Sequence, residues 1–226
     1  GRGNDPVTTG YGTTNAGVYR FQGESENYTF FSAAKIGQVN NIKYDLYNNQ
    51  GWIASNAGAK RITQANVVST FGSNDPGVAT DLISAIDVMP NVTSDLGSRP
   101  FLGTYYELGI ASSRGVIWRD ISGGFPGNNF WSQNFASNEN NYAIQALAHK
   151  KYGELYVVAN HQLKRLNYNY TLFGGYTASE TTIGNPCGQP YNDLAISKRG
   201  DWWLTSDYFV PEIVAADPNT PNAPSG

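Results

Sequence analysis

Asn15-Ala16-Gly17-Val18-Tyr19-Arg20-Phe21 recurs as Asn56-Ala57-Gly58-Ala59-Lys60-Arg61-Ile62 and again, in weaker form, as Asn160-His161-Gln162-Leu163-Lys164-Arg165-Leu166. The first two copies continue in step, with Tyr28-Thr29-Phe30-Phe31 set opposite Ser69-Thr70-Phe71-Gly72. A period of roughly 40 to 50 residues marks a stacked array, because one such unit cannot bury its own apolar face and must share a core with its neighbours. Asn15, Gly17 and Arg20, then Asn56, Gly58 and Arg61, then Asn160 and Arg165, read as structural repeat positions. Function is therefore to be sought on a surface that several units build together.

Outward from the repeat, apolar residues alternate or come in short runs bounded by Gly, Asn, Asp and Pro, which is the pattern of strands and turns. It predicts strands at 8–13, 17–22 and 28–31; at 42–47, 52–55, 60–63 and 67–71; and at 83–89, 104–111 and 116–121. Further strands follow at 143–149, 155–159, 163–168 and 171–173, and at 194–198, 202–205 and 212–215. Short strands in groups of three or four predict an all-β protein, a β-propeller of about five antiparallel blades or an arc of a larger ring. The first unit lacks an opening strand and the last a closing one. Each unit carries a Gly-aromatic step at its second strand: Gly51-Trp52, Gly153 to Tyr156, Gly200 to Trp202-Trp203, with Gly115 to Trp118 as a displaced relative. The glycine permits a tight hairpin and the aromatic is expected between adjacent blades. Residues 1–215 read as the propeller repeats and 216–226 as a Pro/Asn-rich linker or tail.

The order Gly17-Val18-Tyr19-Arg20-Phe21, Tyr28-Thr29-Phe30-Phe31, Val39-Asn40-Asn41-Ile42-Lys43-Tyr44-Asp45, Gly51-Trp52-Ile53-Ala54-Ser55-Asn56-Ala57-Gly58 resembles the repeat of two-component-regulator-type propellers. It is similar as well to the propellers of Bacteroidetes surface and type IX secretion-associated proteins. The match is good over 15–72, recognisable over 142–206 and poor over 73–135, where 90–100 inserts a loop. The resemblance implies a module of a larger bacterial surface, secretion-associated or adhesin-like protein. Its shared residues are structural, so it implies little about a ligand.

Composition narrows the classes further. The chain has 226 residues, 40% of them apolar and 13% aromatic, enough for a sizeable core. Only 15% are charged, against about 25% in average globular proteins, and the net charge is −3. No clustered positive footprint exists for a nucleic-acid backbone. No apolar run is long enough to insert in a membrane as a helix. Such a neutral, Asn-, Thr- and Tyr-rich surface suits an extracellular or cell-surface protein, or a periplasmic one, and the opening Gly1-Arg2-Gly3-Asn4-Asp5-Pro6 reads as part of a longer chain. The single cysteine, Cys187, builds no internal disulfide and no thiolate metal site.

Chemistry-bearing residues are few. His149 and His161 are the only histidines, and neither accompanies a nucleophile-elbow sequence. Paired carboxylates for glycoside hydrolysis would come from Asp45, Asp87, Glu107, Asp120, Asp193, Asp201 and Asp207. Asp45, Asp87 and Asp193 recur by unit, which favours turn architecture over catalysis. Ser73-Asn74-Asp75-Pro76-Gly77 offers one carboxylate and reads as a turn, so neither metal nor cofactor is expected. The aromatic residues of a Gly- and Asn-rich loop, Phe125, Phe130 and Trp131, and the consecutive Tyr105 and Tyr106, are the candidate ligand- or partner-binding residues. The sequence thus predicts a non-catalytic binding or scaffold module whose partner is a protein or glycan at a cell surface. The alternatives are a lectin or glycoside hydrolase on a propeller, and a phage or virion structural or receptor-binding domain.

Overall fold

The computed structural model describes residues 9–14, 17–22, 27–46, 48–75, 78, 80–89, 100–104, 116–120, 130–135, 144–171, 175–186, 188–206 and 212–214. Among these, every sheet is an antiparallel meander of strands consecutive in the chain. The first is β1 (Thr9–Thr14), β2 (Gly17–Gln22) and β3 (Tyr28–Ser32), followed by a helical turn, α1 (Ala33–Ile36). The second is β4 (Val39–Asp45), β5 (Gln50–Ser55), β6 (Ala59–Ile62) and β7 (Val68–Phe71). The third is β8 (Ile83–Val88), β9 (Pro100–Thr104), β10 (Val116–Asp120) and β11 (Phe130–Phe135). The fourth is β12 (Ile144–Lys151), β13 (Glu154–Ala159), β14 (Gln162–Thr171) and β15 (Gly175–Gly184). The fifth is β16 (Tyr191–Ile196), β17 (Trp202–Ser206) and β18 (Glu212–Val214).

The registers align the units. Each of β4, β8, β12 and β16 carries a bulge at the same point, after Val39, Ile83, Ile144 and Tyr191. Three residues beyond the bulged position lie Lys43, Asp87, Ala148 and Ala195, and opposite them on the next strand stand Trp52, Phe101, Tyr156 and Trp203. The aromatic position of the third unit is therefore Phe101. Trp118, expected there, pairs with Phe101 from β10, the third strand of its sheet. In the same frame β2 matches β6 and β14, so the first sheet holds the second to fourth strands of a unit and the fifth sheet the first to third.

Three further expectations shift. Val18 pairs with Phe31 and Ala59 with Phe71, so Phe31 matches Phe71 and the sequence alignment of these strands slips by one residue. A one-residue slip turns a strand over, and only Phe31 with Phe71 places both rings on covered faces. The strand predicted at 104–111 is β9, ending at Thr104; a strand can begin on a proline, as Pro100 does. β11 and β15 arise where no strand was predicted. Both are the outermost strands of their sheets, where one flank has no ladder partner and period-two burial is not imposed.

Among the described residues the apolar side chains gather in four clusters at the junctions between successive sheets. Val18 and Phe31 meet Ile53 and Ile62 across the first junction. Trp52, Ala59 and Phe71 meet Ile83, Ile86 and Leu102 across the second. Phe101 and Val116 meet Leu147, Leu155 and Leu166 across the third, and Tyr156, Val158 and Leu163 meet Tyr191, Leu194 and Leu204 across the fourth. Gly17 and Gly58 hold equivalent positions with positive φ, and a Cβ on either would lie 2.1 Å from Phe31 O or 2.6 Å from Phe71 O. The repeat's glycine is thus required twice, by backbone conformation and by close approach.

Candidate functional site

The first strands of successive sheets run side by side, β4 against β8, β8 against β12 and β12 against β16. Their bulges explain the spacing. The extra residues are Asn40, Ser84, Gln145 and Asn192, all polar. Asn40 Nδ2 donates to Ile83 O at 2.7 Å, and Ser84 Oγ lies 2.5 Å from Ile144 O: each reaches the residue that opens the next sheet. At the fourth junction the link is indirect. Gln145 Oε1 accepts from His161 N at 3.3 Å, and His161 Nδ1 lies 3.0 Å from Tyr191 O. A carbonyl only accepts, so Nδ1 carries the proton in this contact. His161 sits in a turn with Asn160, both at positive φ. His161, which stands where the first two repeats have alanine, thus ties two sheets together.

A cavity of about 350 Å³ opens among these strands, lined by Val39–Lys43 of β4, Leu147 of β12 and Asp193–Ala195 of β16. Asn41 and Asp193 occupy the same repeat position, the one after the bulge, where the third and fourth sheets have Ala85 and Ala146. Asn41 Oδ1 is buried and has no hydrogen-bond partner among the described residues. Asp193 Oδ1 accepts from Leu194 N at 2.8 Å. The lining therefore sets the polar residues Asn41 and Asp193 beside half-buried Ile42, with Leu147 and Leu194 themselves buried.

Beside it lies a charge cluster drawn from three sheets. Lys43 Nζ stands 3.3 Å from Asp87 Oδ1, while Asp87 Oδ2 accepts from His149 N at 2.6 Å and lies 2.9 Å from His149 Nδ1. Burial pushes the Asp87 carboxyl up, but the His149 hydrogen bond and the Lys43 charge, with the His149 charge and amide, outweigh it and leave it below the usual range. The His149 ring meets Phe101 and Tyr168 edge to face at 4.8 and 5.8 Å, and its Nε2 is buried without a partner among the described residues. The Asp-His pair ties the third sheet to the fourth. Asp87 thus departs from the turn role expected of the recurring acids. Asp45 keeps that role, accepting from Asn48 N and from the Asn48 and Gln50 side-chain amides, and Asp193 lies within β16. Asp75 accepts from Gly72 N at 2.8 Å, as a turn residue. Among the described residues no three His, Cys, Asp or Glu side chains are grouped to hold a metal ion.

Of the binding residues read from sequence, Tyr105, Tyr106 and Phe125 lie outside the described residues, as does Asn15. Phe130 and Trp131 open β11, opposite Asp120 and Arg119, and are not in a loop. Asn41 was missed because it looks like an ordinary strand residue until the strands converge, and Asp193 was read as one of the recurring turn acids. Two of the repeat arginines make contacts across or within sheets. Arg20 Nη1 donates to Thr63 O, Gln64 O and Asn66 Oδ1 of the second sheet at 3.2, 2.9 and 2.7 Å. Arg61 stacks over Phe71 and donates to Ser69. Trp202 packs on Tyr156 at 4.7 Å.

No protein-family model matches the sequence, and no curated protein is similar to it. Solved structures are. The extracellular domain of the hybrid two-component system BT4673 from B. thetaiotaomicron aligns over 93% of this chain and 25% of its own, with 16% identity and a TM-score of 0.61. PorZ, a surface component of the type IX secretion system of Porphyromonas gingivalis, aligns over 92% and 27%, with 13% identity and a TM-score of 0.52. Virginiamycin B lyase from Staphylococcus aureus aligns over 97% and 73%, with 13% identity and a TM-score of 0.59. These are β-propellers, and the fold of the present chain is all-β of that kind. The resemblance to two-component-regulator-type and type IX secretion-associated propeller repeats holds in three dimensions. The chain spans about a quarter of the length of the first two structures. No helix among the described residues is long and apolar enough to cross a membrane.

Proposed function

We propose that this chain is a non-catalytic, extracytoplasmic binding or scaffold module of a larger bacterial surface or secretion-associated protein. It contributes consecutive propeller blades, and it takes a protein or glycan partner at the cavity between β4, β12 and β16. One observation carries the reading: Asn41 Oδ1 is buried and unbonded in the lining beside Asp193. A buried acceptor without a partner costs about 1–3 kcal/mol, and a turn of the Asn41 side chain into the cavity would let a hydroxyl or ammonium group of the partner remove that cost. Half-buried Ile42 supplies apolar contact for a sugar ring or short side chain. The aromatic residues Tyr105, Tyr106, Phe125, Phe130 and Trp131 are proposed as further contacts for the same partner.

The test is a glycan and peptide binding screen run on the chain, with Asn41→Ala, Asp193→Ala and Trp131→Ala beside it. The cavity variants should weaken the selected ligand about tenfold or more. Trp131→Ala should weaken it while leaving stability unchanged. Binding that ignores all three substitutions refutes the assignment. A reducing-sugar assay belongs in the same screen, because virginiamycin B lyase is an enzyme; turnover abolished by Glu107→Gln or Asp120→Asn would establish the hydrolase reading instead.

A further inference from the structure

The cavity between β4, β12 and β16 has a charge imbalance that narrows its ligand. Two charged residues line it, Lys43 of β4 and Asp193 of β16. Lys43 Nζ stands 3.3 Å from Asp87 Oδ1, so the charge of Lys43 is countered from the third sheet. Asp193 has no lysine, arginine or histidine paired with it among the described residues. Its Oδ1 accepts from Leu194 N at 2.8 Å, a bond within β16 that leaves the negative charge in place. The uncompensated charge of the lining is therefore negative. The bulge does not require it, since Ala85 and Ala146 fill the same position in the third and fourth sheets.

Three kinds of cation could answer that carboxylate, and the geometry separates them. A divalent metal ion needs several ligands at once, and among the described residues no three His, Cys, Asp or Glu side chains are grouped. A guanidinium binds a carboxylate best through both oxygens together, but Asp193 Oδ1 is already engaged by Leu194 N. A primary ammonium is a compact charge with three donors, which suits single acceptors arriving from separate elements. Asp193 Oδ2 offers one. The Asn41 amide, at the same repeat position on β4, offers a second when its side chain turns into the cavity. Half-buried Ile42 gives the stem of such a group apolar contact. The volume of about 350 Å³ is near the low end of the roughly 300–1,000 Å³ of ligand pockets. One side chain or a chain end fits it, and a folded surface does not.

We infer that the cavity binds a primary ammonium group of a peptide, the α-amine of a chain end or the ε-amine of a lysine, with Asp193 as its counter-ion. This rests on the reading of the cavity as the binding site, and it chooses a peptide over a glycan as the occupant. A sugar hydroxyl can donate to an amide oxygen in place of the carboxylate, whereas an ammonium loses its counter-ion when the charge of Asp193 is removed. Asp193 is exposed, so solvent ions reach the pair and binding is salt-sensitive.

Isothermal titration calorimetry on the full chain tests this with the amide of an alanine-alanine-lysine peptide, its two amines free, singly acetylated or doubly acetylated. The free peptide should bind, and double acetylation should abolish binding. Loss on acetylating one amine alone identifies whether the chain end or the lysine side chain is held. Asp193→Asn keeps the shape and removes the charge. With folding checked by circular dichroism, it should weaken the peptide about tenfold or more. Raising sodium chloride from about 0.05 to about 0.5 M should weaken binding to the parent chain. Affinity that survives double acetylation or Asp193→Asn overturns the inference. A neutral oligosaccharide that binds, is weakened by Asn41→Ala and ignores Asp193→Asn also overturns it, while leaving the cavity as the binding site. Binding of neither peptide nor oligosaccharide removes both readings.

Discussion

Replacing Trp52 by alanine tests the junction architecture most directly. Trp52 is 1% exposed and is packed among Ala54, Ala59, Phe71, Ile83, Ile86 and Leu102, with the Phe71 ring at 5.5 Å. Emptying such a site costs about 3–5 kcal/mol, as lost transfer energy plus a cavity. Its Nε1 is buried with no hydrogen-bond partner among the described residues, and removing an orphan donor returns part of a desolvation penalty of about 1–3 kcal/mol. The expected loss is therefore near the low end, about 3 kcal/mol. Trp52→Phe keeps most of the contact and deletes the orphan N–H, so it should cost about 1 kcal/mol. Trp203→Ala makes the same chemical change at the same repeat position, where the indole is 42% exposed, and should stay within about 0.5 kcal/mol. Guanidinium unfolding followed by far-UV circular dichroism reads all three by linear extrapolation. For the alanine variant the midpoint should fall by roughly 0.5–1 M. A loss under about 1 kcal/mol for Trp52→Ala, or equal losses at Trp52 and Trp203, would refute the reasoning that aromatic wedges are seated by the following sheet.

The charge cluster predicts an acid dependence. Asp87 titrates below its ordinary range, so its stabilisation is complete above about pH 4 and disappears as pH falls from there through its lower folded-state value. Asp87→Asn should therefore be destabilising near neutrality, and the gap to the parent chain should close in acid; a gap independent of pH argues that the carboxylate makes no net contribution. Arg20→Met removes the only guanidinium among the described residues that spans the first junction to Thr63, Gln64 and Asn66. It should cost about 2–3 kcal/mol and raise hydrogen exchange at Thr63–Asn66, where an unchanged pattern would show that the loop holds its own shape.

The repeat was legible because its signals are local. Gly17 and Gly58 are fixed by positive φ and by a carbonyl in van der Waals contact, so the residue type itself reports the backbone. Trp52, Tyr156 and the unbroken burial of β5 and β13 likewise follow from the covering of both faces of an inner strand. Phe101 was not legible as the third wedge, since Pro100 precedes it in place of glycine and only the pairing with Asp87 identifies it. β15 was missed because residues 179–182 are exposed, and nothing imposes an apolar period on such a strand.

The amino-acid sequence alone determined that this chain is a row of small antiparallel sheets, because hairpin geometry and strand period are properties of neighbouring residues. It did not determine where an acceptor-lined cavity opens, that His149 is sealed against Asp87, or which aromatics lie uncovered. Those depend on strands up to 150 positions apart being brought side by side, as with Asn41 and Asp193. Burial is a property of what packs on a face, so Trp52 and Trp203 fill one repeat position, yet only the tertiary structure buries the first and leaves the second open.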